Sequence, residues 1–153
     1  MSKPAVIPVE ASVPYATTIH VRDTCLCLHV QRAARALARR FDDALRPVGL
    51  TNGQFSLLMS LNRPEPAGMG GVASLLAMDR TTLTAALKPL LRRGLLIVAP
   101  DPEDRRARVL SLTSAGRAVL AQAVPIWTRE HAALDETLAG GSEALRTGLK
   151  AIA

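Results

Sequence analysis

From about Asp23 to Leu45, apolar side chains return every third or fourth position: Val30, Ala34, Leu37, Phe41 and Ala44. That spacing places them on one face of an α-helix. Arg32, Arg35, Arg39 and Arg40 fall largely elsewhere, and Pro47 and Gly49 close the run. Thr51 then predicts a helix N-cap, with Gln54 as its capping-box partner and Phe55, Leu58, Met59 and Leu61 as the buried side. Pro64, Pro66 and Gly68 end that helix, and a short one is expected from about Gly71 to Met78. Asp79 predicts the cap of another, whose apolar stripe is Leu83, Ala86, Leu87, Leu90 and Leu91. Pro89 inside it removes a backbone donor and is expected to bend or tighten the second half. Arg92 and Arg93 suit the C-terminal dipole, and Gly94 suits the residue after the helix.

The pattern then changes. Leu95–Ala99 and Arg108–Leu112 predict two short strands joined by the charged turn Pro100–Ala107. Thr113 caps a long helix expected to reach about Ile126, with Pro125 ending or kinking it. Further helices are expected from about Thr128 to Leu138 and, past Gly140 and Gly141, from Ser142 to Ile152. Met1 to about Thr18, with Pro4, Pro8 and Pro14, predicts a mobile arm. The fold class is therefore mainly α with a small β-hairpin, in the order of a winged helix-turn-helix.

Composition narrows the partners. At 153 residues the chain suits one domain with extensions, and its net charge of +6 comes chiefly from arginine. Guanidinium groups match phosphate oxygens, although scattered surface charge gives the same total. No apolar run is long enough to cross a bilayer, and no secretory segment follows Met-Ser-Lys-Pro, so no membrane partner and a cytoplasmic location are expected. His20, His29 and His131 are scattered, and neither a nucleophile–base pair nor a phosphate loop is evident. The chain thus reads as a non-enzyme with no cofactor and no metal.

The helix after Asp79 carries the candidate chemistry. Its first turns offer Arg80, Thr81, Thr82 and Thr84, with Lys88 a turn later. Arginine can grip guanine with two bonds, while threonine can hydrogen-bond a base or pack its methyl on thymine. Alone, this is an ordinary amphipathic helix with solvated threonines. The hairpin that follows shifts the balance, because Arg105, Arg106 and Arg108 supply a basic arm with Asp101 and Asp104 to orient it. Together these features predict a reader of double-stranded DNA; a winged module that binds proteins is the alternative.

Residues 101–116, Asp-Pro-Glu-Asp-Arg-Arg-Ala-Arg-Val-Leu-Ser-Leu-Thr-Ser-Ala-Gly, resemble the wing signature of the MarR family of bacterial transcription regulators. Asp101, Asp104, Arg106, Leu112, Thr113 and Gly116 are in register with it. Glu103 departs, standing where arginine is usual. Residues 77–84, the Gly-Leu-Thr-x-x-Gln-Phe of 49–55 and Pro125-Ile126-Trp127 are also similar to that family. Ala85 and Ala86 stand where relatives often carry larger polar groups, which narrows the base-reading surface to Arg80, Thr81, Thr82, Thr84 and Lys88.

The resemblance implies a homodimer on a palindromic operator, most often as a repressor. Its terms divide the chain into an arm (1–19), an N-terminal dimerisation helix (20–48), a DNA-binding domain (49–113) and C-terminal dimerisation helices (114–153). It also implies release by a small aromatic or phenolic effector, for which His20, His29, Arg32, Arg35 and Trp127 are candidate lining residues. Cys25 and Cys27 open the first long helix and read either as small buried hydrophobes or as a redox site. Cys27 matches the place of the sensing cysteine in peroxide-responsive relatives. Gln31 and Phe41 stand where those relatives carry tyrosines.

Overall fold

The computed structural model describes residues 12–153. Its helices are α1 (Tyr15–Thr24), α2 (Leu26–Leu45), α3 (Asn52–Ser60), α4 (Met69–Leu75), α5 (Arg80–Arg92), α6 (Ser114–Thr137) and α7 (Gly141–Lys150). The strands are β1 (Ala67–Gly68), β2 (Leu96–Pro100) and β3 (Arg108–Leu112), and a tight helical turn at Arg46–Val48 follows α2. The chain divides into two compact units, the first ending at Leu37 and the second running from Ala38 to Ala153.

In the first unit α1 replaces part of the expected arm; residues 12–14 ahead of it are irregular, and residues 1–11 lie outside the described residues. Pro14 sits at the N-cap, and its carbonyl accepts from the Thr17 N–H at 2.9 Å. Pro14 itself stays extended (φ −57°, ψ 142°) and the helix begins at the next residue, Tyr15. Helicity breaks at Cys25, whose backbone is extended (φ −68°, ψ 110°). No residue of α1 is buried, and Val30 and Leu37 on α2 are exposed.

The second unit holds a continuous apolar core. Leu45, Leu57, Leu58, Leu83, Leu90, Leu96 and Leu110 are almost completely sealed, and Phe41, Phe55, Leu120 and Ala123 extend the cluster. The antiparallel sheet has the order β1-β3-β2, with Val98 opposite Leu110 and Ala67 opposite the same leucine on the other side. Strand β1 was not expected. It is too short for any alternation to show, and its glycine, with Pro64 and Pro66 just before it, reads only as a helix stop.

Four local expectations hold. Thr51 and Gln54 form the reciprocal capping box, and Asp79 and Thr113 cap α5 and α6. Gly94 has φ +66°, the left-handed conformation a helix end needs. Others need correction. Helix α4 begins earlier, at Met69, and stops at Leu75. Met59 and Leu91, expected on buried faces, are 37% and 38% exposed. Pro125 neither ends nor divides α6, which runs unbroken to Thr137. Leu120 and Ala123 are buried before the proline and Ile126 packs on the core just after it, so tertiary contacts hold the helix across the missing donor.

The hairpin is anchored at its base. Thr113 Oγ1 donates to the Gly94 carbonyl at 2.6 Å and accepts from the Gly116 N–H at 3.0 Å. Gly116 is buried, and a Cβ there would lie 2.0 Å from the Leu95 carbonyl oxygen. The Leu-Thr-x-x-Gly segment is thus the point where β3, the start of α6 and the end of α5 are pressed together. Among the described residues no helix is long and apolar enough to cross a membrane.

Candidate nucleic-acid interface

Helix α5 buries one side and displays the other. Leu83, Leu87 and Leu90 form the sealed stripe. Helical periodicity puts Thr81, Ala85 and Lys88 on the opposite face, flanked by Arg80 and Thr84. Those five residues line one shallow depression. Thr82 does not line it; its side chain belongs to the cap. The Thr82 N–H donates to Asp79 Oδ1 at 2.7 Å, and its hydroxyl donates to Asp79 Oδ2 at 3.0 Å. These bonds, the backbone one foremost, hold the Asp79 carboxyl below its usual pKa. The Thr84 hydroxyl donates to the Arg80 carbonyl at 2.7 Å.

The wing is shaped by its two aspartates acting on the backbone. Asp101 Oδ1 accepts from the Glu103 N–H at 2.9 Å, and Asp104 Oδ1 accepts from the Arg106 N–H at 3.0 Å. The Asp101 N–H donates to the Ala107 carbonyl, closing the loop. Arg105, Arg106 and Arg108 are exposed, and Arg108 donates to the Arg105 carbonyl at 3.2 Å. Among the described residues no carboxylate forms an ion pair with these arginines, Arg80 or Lys88.

Wing and helix converge. A hollow of about 340 Å³ is lined by Arg80 and Thr84 from α5, by Asp101, Arg106, Ala107 and Arg108 from the wing, and by Gly68, Met69 and Gly70 ahead of and within α4. Arg105 lies on the other flank, with Pro100, Pro102 and Arg108. Sequence reasoning missed Gly68–Gly70, because strand β1 that delivers them gave no signal. It also passed over Ala85, noted only as an absent polar group.

A second hollow, of about 430 Å³, lies in the same unit and is apolar. Phe55, Ser56, Met59 and Ser60 of α3, Leu75 of α4, and Val124 and Trp127 of α6 line it. Trp127 also stands 6.3 Å from the Phe55 ring and 4.2 Å from His131, which in turn is 5.1 Å from Phe41. Burial pushes the His131 pKa below its ordinary value; Asp135 opposes this, while Arg146 and Arg40 add to it. Phe41 is therefore a core residue here and no partner for a thiol. His20, His29, Arg32 and Arg35 are exposed residues of the first unit. Cys25 is half-buried at the α1–α2 break and Cys27 is exposed, both as free thiols.

A supported helix pair with an arginine-tipped hairpin defines a winged helix-turn-helix protein. The model of the MarR family matches residues 50–107. The M. tuberculosis transcriptional regulator MosR, solved in complex with DNA, is 37% identical, with a TM-score of 0.77 over 84% of this chain and 92% of that one. The transcriptional repressor CouR, bound to p-coumaroyl-CoA, is 30% identical, with a TM-score of 0.76 over 86% of this chain and 94% of that one. The transcriptional activatory protein BadR of Rhodopseudomonas palustris is 33% identical over 97 residues, 61% of this chain and 55% of BadR. The chain thus spans about half the length of the curated relatives it matches first. It belongs to the MarR family, as its wing motif implied.

Proposed function

We propose that this chain is a dimeric, sequence-specific DNA-binding transcription regulator that works in the cytoplasm as a repressor and is released by a small aromatic effector. The observation that carries the reading is the convergence of Arg80, Thr84, Arg106 and Arg108 on one hollow. Three cations meet there against one carboxylate, Asp101, which is bonded to the wing backbone, and that balance suits a duplex backbone better than a protein surface. In this reading α5 enters the major groove with Arg80, Thr81, Thr84 and Lys88. Arg105, Arg106 and Arg108 contact phosphate or the minor groove, and Asp101 and Asp104 hold the wing's shape. Thr82 acts through the cap with Asp79, so its contribution to base reading is indirect.

Dimerisation is supported by apolar side chains left uncovered on the terminal helices. Leu26, Val30 and Leu37 are exposed in the first unit, and Leu145, Leu149 and Ile152 are exposed in the second. A two-fold dimer presents two copies of α5 and favours a palindromic operator. The apolar hollow at Trp127 is the effector seat in this reading; its aromatic walls suit a planar ligand, and CouR, a relative of the same fold, has been solved with p-coumaroyl-CoA.

The test is duplex binding across a salt series, using DNA upstream of the chain's own gene, with and without p-coumaroyl-CoA. Steep salt dependence and release by the ligand are expected. Arg106→Ala should weaken binding to every duplex alike and lower the salt slope by about one. Weak binding insensitive to salt would instead leave a protein-interaction module. One observation favours a second mode of release: Cys25 lies outside both helices and Cys27 is exposed. Thiol-based release by peroxide requires a change in intact mass on treatment, a gain of oxygen at a single thiol or a loss of two hydrogens per disulfide, and an unchanged mass discards it.

A further inference from the structure

We infer that the exposed face of α5 recognises thymine 5-methyl groups, so that the DNA half-site it contacts is a thymine-bearing run between two cation-contacted positions. The inference rests on the regulator reading above and specifies the ligand of that same face.

The reason lies in which hydrogen-bonding groups of α5 are already committed. A hydroxyl carries one proton. The Thr84 proton goes to the Arg80 carbonyl and the Thr82 proton goes to Asp79, so in this arrangement neither donates to a purine N7 or a carbonyl oxygen, and each oxygen keeps only its acceptor lone pairs. Ala85, in the middle of the displayed face, offers a methyl and nothing else. Thr81 alone keeps a hydroxyl that donates to no group among the described residues, and it carries a methyl besides. What the face presents between Arg80 and Lys88 is therefore chiefly methyl surface.

The spacing suits base edges. Arg80 and Lys88 are separated along the axis by about 12 Å at the helical rise of ~1.5 Å per residue. That distance covers roughly three steps of ~3.4 Å in a duplex. The two cations fix the ends on guanine or phosphate, and the strip between them meets the edges of the intervening bases. Of the groups displayed in the major groove, the thymine 5-methyl is the apolar one, and Ala and Thr methyls are suited to meet it.

The experiment uses the full chain. A site is selected from a random duplex pool, and the strongest one is resynthesised with deoxyuridine for thymidine in its half-sites. This change removes the 5-methyl and keeps the O4 acceptor. Thymines are expected in the enriched half-sites, with affinity falling about three- to fourfold for each contacted methyl removed. Thr81→Ser deletes a methyl and keeps the hydroxyl; Ala85→Gly deletes the central methyl. Each should reduce the thymidine-to-deoxyuridine affinity ratio by about threefold. The ratio is taken within one variant, so loss of folded protein cancels. Equal affinity for the two duplexes overturns the inference, as does an unchanged ratio in both variants. A pool from which nothing enriches removes the regulator reading as well, which separates the two failures.

Discussion

In α5 the apolar stripe is sealed, with Leu83, Leu87 and Leu90 no more than 3% exposed, whereas Val30 and Leu37 on α2 and Leu145 and Leu149 on α7 stay 38–45% exposed. All three helices carry the same kind of periodic face. In α5 that face has become part of the core cluster, along with residues of α4 and β2. On α2 only the C-terminal end, Phe41 and Leu45, joins the core, and Val30, Leu37, Leu145 and Leu149 stay open among the described residues. An amphipathic pattern thus announces that a face will be covered without saying by what. The contrast separates a helix covered by its own unit from helices whose apolar surface is left open.

The sealed side breaks most sharply at Gly116. Gly116→Ala places a methyl carbon 2.0 Å from the Leu95 backbone carbonyl oxygen, with Leu112 Cδ2 at 3.3 Å beside it. We expect a loss of at least about 3 kcal/mol, or a Tm lowered by roughly 6–12 °C for a chain of this size. A variant that melts with the parent would show that the base of the wing is not held as tightly as the geometry states.

The open side is tested by Leu149→Glu. A charge there should split the dimer in sedimentation while the circular dichroism of the helices persists, and operator affinity should fall with the loss of the second α5. A variant that sediments as a dimer would place the interface elsewhere.

The smallest effect concerns His131, whose ring lies between Phe41 and Trp127. Its pKa is lowered in the folded protein, chiefly by burial, from an ordinary 6.5. The unfolded chain therefore takes up a proton first as the pH falls below 6.5. The stability tied to neutral His131 is complete above that pH and declines as the pH drops through the folded pKa beneath it. His131→Gln should flatten the melting temperature across that acid window. An unchanged slope would mean the ring is freely solvated and the seam between Phe41 and Trp127 is looser than it looks.

Much of the chain could be read in advance. The Thr51–Gln54 box, the Asp79 and Thr113 caps and the Gly94 helix end were all legible, because each is settled by bonds within a single turn. The wing motif was legible as a likeness to a family, and its Thr113 and Gly116 gain a physical reason only from their contacts with Gly94 and Leu95. The start of α1 just after Pro14 and the continuity of α6 through Pro125 were not legible. Proline states only that a donor is missing, and whether a helix begins, bends or continues there depends on its surroundings.

The interface divides in the same way. Which residues carry charge or a hydroxyl on α5 and the wing was evident from their order along the chain. Which of those hydroxyls remain free was not, since Thr82 and Thr84 carry the same side chain as Thr81 and differ only in the acceptor each finds. Periodicity and capping operate within a few residues, and amino-acid order alone settles them. The meeting of Arg80 with Arg106, the arrival of Gly68–Gly70 beside them and the sealing of one stripe while others stay open join residues far apart in the chain. Such outcomes rest on packing between elements, which no local run of residues encodes.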